Sequence, residues 1–188
     1  MTPEEISSLL HRRKIDLWIG NTIEVTGIIL GLIILFSVDL IPYYVFKLLA
    51  LLFSWFCFWY FSHCIAHYIV GKILNINFLY YYVGRSGLIK LELPIISHIF
   101  RFIPVLGIKI DRASLRKVSK QRIAIMYISG ALASMLCPLV SLTYSLINLD
   151  YYTTLLIGIL TLTNILFTLH FSSKVGDFSK AMNVLCKS

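Results

Sequence analysis

Residues 43–73 read YYVFKLLALLFSWFCFWYFSHCIAHYIVGKI, a run whose only formal charges are Lys47 and Lys72, one near each end. A membrane-spanning helix needs about 20 mostly apolar residues. This run exceeds that and is read as one span, tilted or protruding on one side. Three more runs of this kind flank it, at about 17–36, 123–147 and 152–171. The expected fold is therefore an all-α polytopic membrane protein of about four transmembrane helices.

Composition agrees. The 188 residues are 58% hydrophobic and only 14% charged, with a mean hydropathy of +0.82. Soluble domains carry about 25% charged residues, so a soluble globular domain, a disordered chain and a fibrous repeat are excluded. The net charge of +8 is read as a signature of topology, and nucleic acid is not an expected partner. Cys57, Cys64, Cys137 and Cys186 form no C-x-x-C pair, which leaves a disulfide framework or zinc ribbon unsupported. No small-residue cleavage site follows the first apolar run, which is read as a retained span.

The basic residues orient the spans. Arg12, Arg13 and Lys14 precede the first, ten of the seventeen Lys and Arg residues lie between Lys72 and Arg122, and Lys174, Lys180 and Lys187 follow the last. The short connections around Asp39 and Asp150 hold none. The positive-inside rule then makes three parts cytoplasmic: an N-terminal segment, 1–16, a middle segment, 74–122, and a tail, 172–188. Residues 17–188 form a single membrane domain, and the plasma membrane is the expected location. The middle segment is expected to contain short strands or an amphipathic stretch. NFLYYYV at 77–83 is aromatic, 88–93 alternates loosely, 105–110 is apolar around Gly107, and 95–103 reads as partly embedded. Its positive charge suits anionic headgroups.

His63 and His67 stand four apart in the second span, so they share one helical face and can grip one metal ion. By topology they lie towards the cytoplasmic end of that span. Asp177 follows the fourth span and emerges on the same side. Two imidazoles and a carboxylate make a three-ligand zinc set with a fourth position open.

FSHCIAHYIVGKILNI (61–76), MYISGALASMLCPLVSL (126–142) and SSKVGDFSKAMNVL (172–185) together resemble the site-2 protease family of intramembrane zinc metalloproteases. They match, in order, its metal helix, its small-residue span around A-G-P-x-A-N and its late Asp motif. The resemblance covers about 61–185 and implies a three-helix core around one zinc ion near the cytoplasmic face, with His63, His67 and Asp177 on the ligand positions. Two departures stand out. The family's general base is the Glu directly after the first His, and here that place holds Cys64. The family's Asn and Pro upstream of Asp-Gly are also missing: the chain reads Gly176-Asp177, with Asn164 thirteen residues before the Asp.

The expected function follows from that pattern. The chain reads as a metalloprotease-like pseudoenzyme that keeps its metal site and binds a membrane client or partner without cutting it. Two other readings stand beside it. One is an active membrane metal hydrolase with a relocated base, for which Glu24, the acid well inside a span, is the candidate. The other is a metal-free structural or lipid-interacting protein. The bilayer and a transmembrane client are the expected partners. Cys64 is expected to be an apolar filler and His98 and His170 interfacial. The small patch Ser129, Gly130, Ala131, Ala133 and Ser134 is expected to let helices pack closely.

Overall fold

A computed structural model describes residues 13–85 and 104–186. The expected segments at 88–93 and 95–103, and His98, lie outside the described residues. In chain order the elements are β1 (Arg13–Ile15), α1 (Leu17–Ser37), a 3-10 turn (Val38–Leu40), α2 (Tyr44–Ile73), β2 (Phe78–Arg85), β3 (Pro104–Ile110), α3 (Arg112–Leu115), α4 (Lys120–Leu136), α5 (Leu139–Asn148), α6 (Tyr151–Lys174) and α7 (Asp177–Cys186).

Four helical stretches are long and apolar enough to cross a membrane: Leu17–Leu40, Tyr44–Ile73, Lys120–Asn148 and Tyr151–Lys174. The third consists of α4 and α5 in series. Pro138 separates them because it has no N–H to donate to the preceding turn. Large apolar side chains such as Trp18, Phe36, Tyr152 and Leu162 are exposed along these helices. Continuous exposed apolar surface of this extent is what a lipid-facing wall requires.

The helix ends follow local chemistry. Asp150 caps α6, its carboxylate accepting from the Thr153 N–H at 3.0 Å. Helix α2 stops ahead of Asn75, which adopts the left-handed conformation with φ 62°. The Ile76 N–H then folds back to the Gly71 carbonyl at 2.8 Å, closing the last turn. That stop sends the chain directly into β2.

The strands form an antiparallel sheet in the order β1-β2-β3. The aromatic run expected to be extended is β2, and the apolar run around Gly107 is β3. The strand β1 was not foreseen: Arg13–Ile15 belongs to the polar N-terminal segment and pairs with Tyr81–Val83. Tyr81 is fully buried at the centre of β2, and its hydroxyl donates to Asn21 Oδ1 of α1 at 2.8 Å. Its ring lies where a side chain on Gly20 would stand.

A buried stripe on α1 comprises Gly20, Glu24, Gly27, Gly31 and Leu35, and from Glu24 to Gly31 it faces α2. At Gly27 the ring of Phe61 occupies the space of a Cβ, and at Gly31 a Cβ would come within 2.9 Å of Cys57 Cβ. Small residues thus bring α1 and α2 into backbone proximity, as in other membrane helix pairs. One apolar core, including Leu35, Leu51, Trp55, Phe58 and Ile157, fills one end of the bundle. A second, built on Ile76, Phe78, Ile123 and Met126, sits beneath the sheet.

Gly27→Val is expected to force α1 away from Phe61 and to destabilise the protein by about 1–3 kcal/mol, the usual cost of overpacking. Thermal unfolding in mild detergent measures it. An unchanged unfolding midpoint would mean that the α1–α2 contact is looser than described.

Candidate metal centre

His63 and His67 sit one turn apart on α2, their rings edge to face with centroids 4.9 Å apart. Both present Nε2 to the same oxygen of Asp177. His63 Nε2 lies 3.1 Å and His67 Nε2 3.3 Å from Asp177 Oδ2. The three ligand atoms all fall within 4.8 Å of one another, so the group can hold a metal ion. With metal–ligand bonds of about 2.0–2.1 Å, the edge of a tetrahedral zinc site is about 3.3–3.4 Å. The His67 separation of 3.3 Å matches that edge, and the His63 separation of 3.1 Å is slightly shorter.

The rings are aimed from behind by α4. His67 Nδ1 is 2.7 Å from the Met126 carbonyl, and His63 Nδ1 is 2.9 Å from Ser134 Oγ. A carbonyl only accepts, so Nδ1 of His67 carries a proton and Nε2 is the nitrogen free to bind. In a neutral imidazole that Nε2 lone pair would face a carboxylate oxygen at 3.3 Å, which is repulsive without a cation between them or a proton on the ring. Ligand histidines commonly have their other nitrogen fixed in this way. Ser134 is held in turn, since Asn164 Nδ2 donates to its carbonyl at 2.9 Å. Gly130 lets α4 come this close: a Cβ there would overlap the His67 ring.

Asp177 is the first residue of α7, and it is buried. Its second oxygen, Oδ1, accepts from Lys180 Nζ at 2.8 Å. Burial pushes the Asp177 carboxyl up, but the hydrogen bonds and charge of His63 and His67 outweigh it and hold the group well below the usual carboxylate range. Burial likewise pushes Lys180 down, and Asp177 more than reverses this, so the lysine stays charged. The three ligand positions read from sequence therefore converge.

The other candidates do not join them. Glu24 is fully buried, but its Oε2 accepts from the backbone N–H of Ile65 at 2.7 Å, and it lines no part of the cavity at the site. Ile65 is rotated about 200° from His63 on an ideal helix, which puts Glu24 behind the metal-bearing face. His170 is exposed and its Nε2 is 3.0 Å from Lys174 Nζ, away from the cluster. Cys64 is buried and does more than fill space: its thiol donates to the Leu106 carbonyl of β3 at 3.2 Å. Tyr60 OH accepts from the Leu106 N–H at 3.3 Å. Both backbone groups of this β3 residue are thus taken by α2.

Lys180 and Ser134 were not identified as site residues from sequence. Lys180 was legible in principle, because a residue three places after Asp177 on a helix lies beside it. Ser134 was read only as part of a small-residue patch. Its role depends on the angle between α2 and α4, which spacing does not encode.

A cavity of about 590 Å³ opens against the cluster. Its walls come from α2 (Trp59, Tyr60), β3 (Leu106) and α6 (Phe167, Phe171). Ligand sites span about 300–1,000 Å³, so the size suits a bound molecule or peptide segment. The fold and site define a polytopic membrane protein with a His-His-Asp constellation at the end of one span. Comparison with protein-family models, with curated proteins and with solved structures finds no match.

Ser134→Ala is expected to lower metal affinity about 10–100-fold, the usual effect of losing a group that orients a ligand. Competition with a chromogenic chelator reads it, and unchanged affinity would mean that Ser134 does not fix His63. Glu24→Ala removes the carboxylate that accepts from the Ile65 amide and is expected to cost about 1–3 kcal/mol of stability while metal stoichiometry stays the same. Loss of metal with stability intact would put Glu24 in the site after all.

Proposed function

We propose that this chain is a metalloprotease-like membrane protein of the site-2 protease type, which holds one zinc ion through His63, His67 and Asp177 and engages a transmembrane client without cleaving it. The observation that carries this reading is at Cys64. In the position where the resembling family has its general base, this chain has a thiol that points to the Leu106 carbonyl. Asp177 is the sole carboxylate in the cavity walls among the described residues, and it belongs to the ligand set. Among the described residues, then, no second carboxylate stands beside the cluster in the role that the family's Glu fills.

A bound zinc ion would supply Lewis acidity and a polarised water at its open position. The chain's own residues do the rest. Met126 and Ser134 set the imidazole directions, Lys180 neutralises the outer oxygen of Asp177, and the aromatic walls exclude water. Without a base these parts favour binding over hydrolysis. The placement of Glu24 behind the metal-bearing face gives no support to a relocated base. The same reading puts both termini on the cytoplasmic side of the plasma membrane, in line with the distribution of Lys and Arg.

Zinc, iron and manganese counted per chain in detergent-purified protein provide the test. The expected result is about one zinc per chain, lost in the His63→Ala/His67→Ala double variant, with no cleavage of a transmembrane peptide by the wild type. Absence of metal from both would leave a structural or lipid-interacting protein. Cleavage by the wild type that Glu24→Gln abolishes would overturn the non-catalytic reading. Cys64→Glu is expected to break the thiol bond to Leu106 and to be the one single substitution that introduces hydrolysis.

A further inference from the structure

The cavity beside the cluster has walls of two kinds. Trp59, Phe167 and Phe171 are apolar, whereas Lys109, Arg112 and Lys180 bring three cations to the same space. Asp177 is the one acid among the described lining residues, and Lys180 already pairs with it. The side chains of Lys109 and Arg112 have no hydrogen-bond or ion-pair partner among the described residues. Among those residues nothing neutralises these two cations at the cavity. Tyr127 stands between the basic groups, with Lys180 Nζ 5.7 Å from its ring centre and Arg112 within electrostatic reach.

The apolar side of the cavity lies between α2 and α6. Trp55 Nε1 donates to Thr161 Oγ1 at 3.0 Å, joining α2 to α6. One to two turns further along, Trp59 on α2 and Phe167 on α6 no longer close the gap but line the cavity. A ligand there would meet hydrocarbon-like walls along its length and a paired positive charge at its end. We infer that this cavity binds an anionic lipid, its phosphate held by Lys109 and Arg112 and the start of its acyl chain lying between Trp59 and Phe171. The volume of about 590 Å³ accommodates a headgroup and the first part of a chain, with the remainder left in the bilayer. The site does not need a metal ion, although a cation bound by the histidines would add charge of the same sign.

Native mass spectrometry of the full chain, released from neutral detergent with equimolar phosphatidylglycerol and phosphatidylcholine, tests this. The wild type is expected to retain phosphatidylglycerol preferentially. Lys109→Gln/Arg112→Gln is expected to reduce that preference by about fivefold for each cation removed. Arg116→Gln/Lys117→Gln removes the same charge from exposed positions outside the cavity and is expected to leave the preference intact. An equal loss in both pairs would assign the effect to surface charge and overturn the site. So would equal retention of the two lipids, or displacement of phosphatidylglycerol by millimolar inorganic phosphate, which would reassign the cations to a free anion. The His63→Ala/His67→Ala variant separates this inference from the metal reading. It is expected to keep the lipid preference whatever its metal content, and a preference lost there but kept in Lys109→Gln/Arg112→Gln would mean that the histidines hold the anion.

Discussion

Both Nε2 atoms of the histidine pair meet one carboxylate oxygen because α4 holds the Nδ1 atoms from the other side, one by the Met126 carbonyl and one by Ser134 Oγ. A buried imidazole such as that of His67 has to satisfy two ring nitrogens, and leaving one unpaired costs free energy; His63 is the more exposed of the pair. With Nδ1 fixed by α4, each ring has a single remaining direction, and α7 brings Asp177 into it. The packing of three helices is therefore coupled to the orientation of two rings. Gly130 is the point of contact, since any side chain there would displace His67 and open the α2–α4 interface.

The α1 helix supports this arrangement from behind. It contributes no ligand, but it lies against α2 along a stripe of small residues and places Glu24 on the backbone of the turn that carries the histidines. A carboxyl group buried at full depth is expensive unless something needs it. Here one oxygen accepts from a main-chain N–H between His63 and His67 and so constrains the helix, while the other oxygen is buried with no partner among the described residues. The sheet does similar work at the other side. Tyr81 ties β2 to α1, and Cys64 with Tyr60 ties β3 to α2 at Leu106.

Much of this was legible in the sequence. Hydropathy located all four spans, because an apolar run of that length has few alternatives in a polytopic chain. The i, i+4 spacing placed His63 and His67 on one face, and counting crossings brought Asp177 to the same side. Other features depended on angles and register, which periodicity does not carry. The strand β1 lies in a polar segment and is held by pairing with β2, so its own residues gave no signal. Glu24 was readable as buried, but whether it faced the metal or the back of α2 depended on the rotation of α1. Cys64 was readable as an apolar filler, yet its bond to β3 appears only once the strand is docked.

Cys64 joins these observations. A carboxylate that took the thiol's place against the Leu106 carbonyl would meet it with lone pairs only, and two such oxygens repel. A thiol can donate there and a carboxylate cannot. The thiol therefore secures β3 to the helix that carries His63 and His67, and with the Tyr60 hydroxyl it fixes the wall of the cavity at Leu106.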